Sequence, residues 1–354
     1  MRLEDIARTL LDPASTQQQL QRALDQFIQT CGKAGGILPD PAFSAWAGDS
    51  FLAEGVAIAP QAAANCARDY QRAIMFTRGV HAAIAQASLH FPDEPLRILY
   101  AGCGPYGTLL LPLLPLYRPE QFSVCLLDIH QRSLDSVLKL LEHFGLAAYN
   151  IETVQGDACT YQHPRPLHLV ISETMQKSLE QEPQFAVTAH LARQLIDGGT
   201  FIPQKIDVRL CLTPKNLLTE QPSTGASSGL DTKRDRARHY QIGTALTLTR
   251  ESAVALSRSA RFREERQKWE LPPLVMEIPA LDNLECCDAA LFTRIQVYDQ
   301  CWLEDYDAEI TLPQRCTDMA PLKAGDYWEI SYQLGSYPRF HFGRITRPEN
   351  PGSP

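Results

Sequence analysis

The chain has 354 residues, 44% of them hydrophobic and 21% charged, an ordinary balance for a globular protein with apolar mass for about two domains. Its formal net charge of -8 argues against nucleic acid as the main partner, because phosphate backbones are bound through a strong cationic field. The N-terminus MRLEDIARTLLDP lacks the cationic start, apolar stretch and small-residue cleavage site of a signal peptide, and no apolar run approaches the ~18 residues that span a bilayer, so a cytoplasmic protein without a membrane partner is expected.

Residues 1–93 carry apolar residues at three- and four-residue steps in LEDIARTLL, TQQQLQRALDQFIQTC and DYQRAIMFTRGVHAAIAQASLHF, which predicts a helical N-terminal cover. Residues 94–203 alternate strand-like and helical runs: LRILYAG, a helix after the glycines, FSVCLLDI, the helix SLDSVLKLLEHFG, NIETVQGD, LHLVISE and a helix through AHLARQLIDGG, with FIPQKIDVRLCL leading onward. That alternation predicts an α/β domain with a mainly parallel sheet and helices on both faces. Residues 204–354 hold TALTLT, LFTRIQVYDQCWL, AEITLP, DYWEISYQL and RFHFGRI between Pro, Gly and Asp, which predicts a β-rich antiparallel barrel or sandwich. Within it, EQPSTGASSGLDTKRDRARH reads as an exposed loop and RSARFREERQKWE as a solvated helix face or surface strand.

The ten cysteines show no CxxC pair, and neither they nor the histidines have the spacing of a metal site, so no metal is expected. Cys286 and Cys287 are adjacent and poorly placed to share a disulfide. His130 stands apart from the other histidines because it follows Asp128 by two residues, at the end of a predicted strand.

The run LRILYAGCGPYG turns a predicted strand into Gly102 and Gly104, where glycine permits a tight turn and close backbone approach to a ligand. The next strand ends at Asp128, placed to accept the two hydroxyls of a ribose, and the one after it at Gly156-Asp157. Pro105 directly after the second glycine leaves no GxGxxG, so an adenosyl ligand without phosphates fits better than a dinucleotide. In these features residues 96–203 resemble the class I S-adenosyl-L-methionine (SAM)-dependent methyltransferases. The resemblance implies a Rossmann-like core with SAM as cofactor, Asp128 at the ribose, and Asp157 beside adenine with the amides of Ala158 or Cys159.

The stretch ISETMQKSLEQEP sets Glu173 at a strand end and Glu182 nine positions later. With Ser172 and Met175 it resembles the paired-glutamate hairpin of protein arginine methyltransferases, as GGTFIPQKIDV and PLKAGDYWEISYQL resemble that family's link to its barrel and a late barrel hairpin. The resemblance implies catalytic roles for Ser172, Glu173 and Glu182, and, through DYQR, Arg72 as the clamp on the SAM carboxylate with Tyr70 as a pocket wall. Tyr106 walls the methionine moiety or simply packs. Simpler local readings make Glu173 a helix cap and Glu182 an exposed helix residue.

The pattern departs from that family at Thr174, Gln176 and Lys177, the last able to neutralise a carboxylate. It departs again in YDAEITLPQRC, where no histidine stands in place of the family's Thr-His-Trp loop. The acceptor expected is therefore a nitrogen or other nucleophile of a small molecule, such as an amino acid or biosynthetic intermediate. Alternatives are a peptide arginine acceptor, attack at the aminocarboxypropyl carbon of SAM (including closure to azetidine-2-carboxylate) with release of methylthioadenosine, and a non-catalytic scaffold. A homodimer is left open.

Overall fold

The structure, a computed structural model, describes residues 2–40, 42–43, 47–219 and 239–347. Helix α1 (Leu3–Leu11) buries Leu3, Ile6, Ala7 and Leu10, a single stripe at three- and four-residue steps. Helix α2 (Gln17–Gly35) opens on a capping box in which Thr16 accepts the Gln19 N–H and Gln19 Oε1 accepts the Thr16 N–H at 2.8 Å. A hairpin then interrupts the helical cover, β1 (Ser50–Leu52) pairing with β2 (Gly55–Ala57), before α3 (Pro60–Cys66) and α4 (Tyr70–His90). Asp69 caps α4, and its two carboxylate oxygens accept the N–H of Arg72 at 3.4 Å and of Glu309 at 2.8 Å. The start of α4 is thereby fastened to the C-terminal half.

Strands β3 (Leu96–Ala101), β4 (Phe122–Asp128), β5 (Asn150–Gln155), β6 (Leu167–Ser172) and β7 (Leu195–Ile202) form a parallel sheet of order β5-β4-β3-β6-β7. Strand β3 is buried on both faces, with Ile98 and Tyr100 in the large core and Leu99 and Ala101 in a second one. Helix α5 (Gln131–His143) crosses from β4 to β5, and α6 (Gln184–Leu191) lays Val187 and Leu191 on the second core. The strand order reverses at β3, which opens a crevice beyond the carboxyl ends of β3 and its neighbours.

Several local expectations are corrected. No α-helix follows the glycine turn; Leu111–Leu116 is a 3-10 helix, because Pro112 and Pro115 each remove an amide donor. The helix read through AHLARQLIDGG stops at Leu191, and Leu195–Ile202 extends as β7 on the free edge of β6, so cross-strand pairing overrides the helical spacing. AEITLP forms a 3-10 turn at Glu309–Thr311 instead of a strand.

The C-terminal half contains two antiparallel sheets. One joins β8 (Lys205–Pro214), β9 (Tyr240–Leu248), β13 (Cys287–Tyr298), β14 (Cys301–Leu303) and β15 (Gln314–Arg315). The other joins β10 (Arg261–Arg263), β11 (Lys268–Glu270), β12 (Leu274–Glu277), β16 (Tyr327–Gln333) and β17 (Arg339–Ile345). Val208 and Leu246 from the first and Ile330 and Phe340 from the second meet in the same apolar core as Ile98 of the parallel sheet. Among the described residues two α-helices stand within this β-rich half, α7 (Lys215–Thr219) and α8 (Arg250–Ser259), the latter on a Thr249 cap. RSARFREERQKWE becomes the β10–β11 hairpin, exposing Phe262 and Trp269 while burying Glu270 under Arg266. Apart from His239, the loop EQPSTGASSGLDTKRDRARH lies outside the described residues.

Helix α4 packs against β13 at Gly79, where an added Cβ would lie 2.4 Å from Val297 Cγ1. Gly79→Ala is expected to lower stability to urea by about 1–2 kcal/mol, overpacking of about 1–3 kcal/mol exceeding the helix-propensity gain of about 0.5–1 kcal/mol. Adding Val297→Ala should restore much of the loss, and no recovery in the double variant would place the strain elsewhere.

Candidate functional site

Arg72, Gly102, Gly104, Asp128, Glu173 and Glu182 line one cavity beyond the carboxyl ends of β3, β4 and β6. The floor is set by the glycine turn, where Gly102 and Gly104 have φ of 69° and 62°. The Gly102 and Cys103 amides fold back to the Leu127 carbonyl at 2.9 and 3.2 Å. A side chain at Gly102 would meet Thr174 Cγ2 at 2.5 Å, so the turn and the segment after β6 are fitted to each other.

Asp128, the last residue of β4, is 7% exposed and held on both oxygens: Oδ2 accepts the Gly104 N–H and Oδ1 the His130 N–H, each at 2.9 Å. Its remaining lone pairs are available to hydroxyl donors. The Gly104 amide is occupied in this way, so the turn does not offer the free amide nest that a phosphate needs. His130 does not enter the cavity; its Nε2 lies 3.1 Å from Ser50 Oγ at the foot of the β1–β2 hairpin, and its Nδ1 lies 3.6 Å from Asp128.

The other side of the cavity is ionic. Arg72, in the first turn of α4, pairs directly with Glu173, their side chains 9% and 12% exposed. Glu182 is 6% exposed, so it is not a solvated helix residue, and Glu173 caps no helix. Burial pushes the Glu173 carboxyl up to about 7, against the pull of Arg72. Burial pushes Glu182 up to about 8, Arg72 opposing and the Glu173 charge adding. Burial works against the Arg72 cation as well, but Glu173 and the other acids around it more than offset that and its pKa rises. The Cys66 thiol, also on the cavity wall, is pushed up to about 12 by burial and stays a neutral lining group.

Other expected site residues lie elsewhere. Ser172 is fully buried at the end of β6, with its hydroxyl 3.3 Å from Thr174 Oγ1, and does not line the cavity. Asp157 also stands outside it, its carboxylate accepting the Cys159 N–H at 2.8 Å and facing Glu54 on the β1–β2 turn. Tyr70 donates to Asp25 at 2.6 Å, and Tyr106 donates to the Ile37 carbonyl, so both pack against the helical cover instead of walling the pocket. Lys177 acts on Glu180, and the cation beside Glu173 and Glu182 is Arg72. Sequence reasoning missed Cys66, Tyr100 and Thr174 on the wall, Gln184 behind it, and the β1–β2 hairpin beside it. The alternation SFLAEGVA around a Gly-containing turn is the signal that marks the hairpin.

No family model and no curated protein matches the chain. Among solved structures it is similar to the Trypanosoma brucei PRMT1 enzyme–prozyme heterotetrameric complex with AdoHcy, at 12% identity and TM-score 0.46 over 79% of this chain and 96% of that one. It is also similar to Arabidopsis thaliana protein arginine methyltransferase 10, at 14% identity and TM-score 0.44 over 75% of this chain and 87% of that one. These likenesses are remote, and the chemistry has to come from the residues themselves.

The raised Glu182 carboxyl has a thermodynamic consequence. The unfolded chain ionises Glu182 near 4.5 and the folded chain near 8, so the folded state holds the extra proton and loses stability as pH rises between those values. Glu182→Gln removes this cost and should melt several degrees above the parent at about pH 8.5, with little difference near pH 4.5. Equal melting temperatures at both pH values would mean that Glu182 titrates as a solvated carboxylate.

Proposed function

We propose that the chain is a SAM-dependent methyltransferase acting on a nitrogen of a small molecule, such as an amino acid or biosynthetic intermediate. The observation that carries this reading is the convergence on one cavity of Arg72, the Gly102–Gly104 turn, Asp128 and the paired acids Glu173 and Glu182. The residues fit the ligand: Asp128 has free lone pairs for two ribose hydroxyls, and the occupied Gly104 amide suits an adenosyl group without phosphates. Arg72 is the cation for an amino-acid carboxylate. When bound, SAM supplies an electrophilic methyl group on a sulfonium and leaves as a neutral thioether.

The chain's own work is holding and desolvating. Arg72, paired with Glu173, is placed to take the carboxylate of the cofactor, while Glu173 and Glu182 face the acceptor. Glu173 and Glu182 hold an amine and fix which nitrogen faces the methyl group; alignment of that kind is worth up to about 7–11 kcal/mol of a barrier in favourable cases. Glu182, with its raised affinity for a proton, is the group suited to take the one that the nitrogen loses on alkylation.

A small acceptor is favoured by what stands against the loop bearing Glu182. The Val56 N–H of β2 donates to the Gln181 carbonyl at 2.8 Å, and Gly55 sits so close that an added Cβ would lie 2.8 Å from Pro183 N. YDAEITLPQRC, which departs from the Thr-His-Trp loop of the arginine methyltransferases, has no histidine and holds the 3-10 turn Glu309–Thr311.

Incubation with SAM and a panel of small amines, with both products identified by mass spectrometry, tests the reading. S-adenosylhomocysteine and a methylated amine are expected. Methylthioadenosine as the main product would move the attack to the aminocarboxypropyl carbon, and methylation of arginine peptides alone would overturn the acceptor class. For the acceptor, kcat/KM should rise with pH through about 7 to 8, because only ionised Glu182 can take the proton that the attacking amine loses. A profile already flat above pH 6 would contradict it.

A further inference from the structure

We propose that Thr293 and Tyr332, both in the C-terminal sheets, are positioning residues for Glu182, holding its loop in a backbone conformation that the loop's own sequence disfavours. The proposal rests on the reading of Glu182 as the acceptor carboxylate.

Between β6 and α6, the 3-10 segment Lys177–Leu179 places Ser178 and Leu179 at φ of 58° and 57°, and Gln181 follows at 70°. Three non-glycine residues in the left-handed region within four positions are seldom tolerated, because Cβ crowds the following carbonyl. Such conformations persist where the surroundings over-determine them.

Here the bonds to Ser178, Leu179 and the Gln181 amide come from the C-terminal half, while the Val56 N–H of β2 holds the Gln181 carbonyl at 2.8 Å. The Ser178 N–H donates to Thr293 Oγ1 at 2.9 Å, and Tyr332 O–H donates to the Leu179 carbonyl at 2.5 Å. The Gln181 N–H donates to the carbonyl of Pro338, the residue before β17, at 2.8 Å. Thr293 on β13 and Tyr332 on β16 are 1% and 2% exposed, and the Tyr332 ring is fixed between Phe185 and Phe340, its centroid 5.8 and 5.0 Å from theirs. A hydroxyl locked in this way holds its partner carbonyl in place.

Glu173 is held differently, from within the parallel-sheet half. Thr174, next to it, donates its N–H and hydroxyl to Gln184 Oε1 at 2.9 and 3.1 Å. The two carboxylates therefore take their positions from two halves of the chain. Their spacing, and with it the size and shape of the nitrogen group that both can hold, is set by how the C-terminal sheets pack on the parallel sheet.

Thr293→Val and Tyr332→Phe each delete one hydroxyl, and Thr293→Ser keeps it. Hydrogen exchange is read at the Ser178 and Gln181 amides of the full chain, together with acceptor KM and the calorimetric Kd for SAM. Exchange at those amides should quicken about tenfold, the scale of one buried hydrogen bond, in Thr293→Val and Tyr332→Phe, with the amides of β3 and β4 unchanged. Acceptor KM should rise about tenfold with Kd for SAM within about twofold of the parent, and Thr293→Ser should recover it. Unchanged exchange overturns the proposal, whatever the chain catalyses. Parallel losses of SAM affinity and acceptor KM overturn it too, as the mark of a general structural role. Faster exchange in a protein that transfers no methyl group removes the proposed function and leaves the positioning of the loop standing.

Discussion

Two carboxylates and one guanidinium buried together, Glu173, Glu182 and Arg72, impose the constraint on which the arrangement of this chain depends. Desolvating such groups costs several kcal/mol per ion, and a single Arg72 cannot compensate two acids. Burial raises both carboxyls well above the ordinary glutamate range, which lessens the charge that Arg72 has to balance.

Each member of the trio arrives from a different direction. Asp69 caps α4 and sets Arg72 in its first turn, while the same Asp69 accepts an amide from Glu309 in the C-terminal half. Strand β6 ends one residue before Glu173. Glu182 comes on a strained loop clamped from β2, β13 and β16. The parallel sheet brings Asp128 and the glycine turn to the same edge, since strand ends in such a sheet converge where the strand order reverses.

Strands β3, β4 and β6 are legible because they are nearly continuous apolar runs that pack into the core, and Asp128 at the end of β4 could be placed on the cavity from that pattern, whereas Glu173 needed the family resemblance as well. What local pattern cannot show is which way a strand-end side chain turns. Ser172 stands beside Glu173 in sequence yet bonds Thr174, and Asp157 repeats the strand-end pattern of Asp128 but spends its carboxylate on a local amide. The missed elements have a common cause. Leu195–Ile202 becomes a strand because β6 offers a free edge, and the left-handed loop at Ser178 exists because Thr293, 115 positions away, accepts its amide. Such outcomes depend on residues distant in sequence, which a short window does not contain. Pro112 and Pro115, by contrast, are helix breakers visible in the sequence itself, and they override the apolar spacing after the glycine turn.

The central claim, that the buried charges and the strand-end acid form one SAM site, is tested most directly by calorimetric titration of SAM into the parent protein and into Arg72→Met and Asp128→Ala. The account predicts saturable one-site binding to the parent, weakened about 100-fold or more by Arg72→Met, which leaves Glu173 and Glu182 without a cation, and clearly weakened by Asp128→Ala. Absence of binding to the parent at millimolar SAM, or equal affinity in all three proteins, would contradict it.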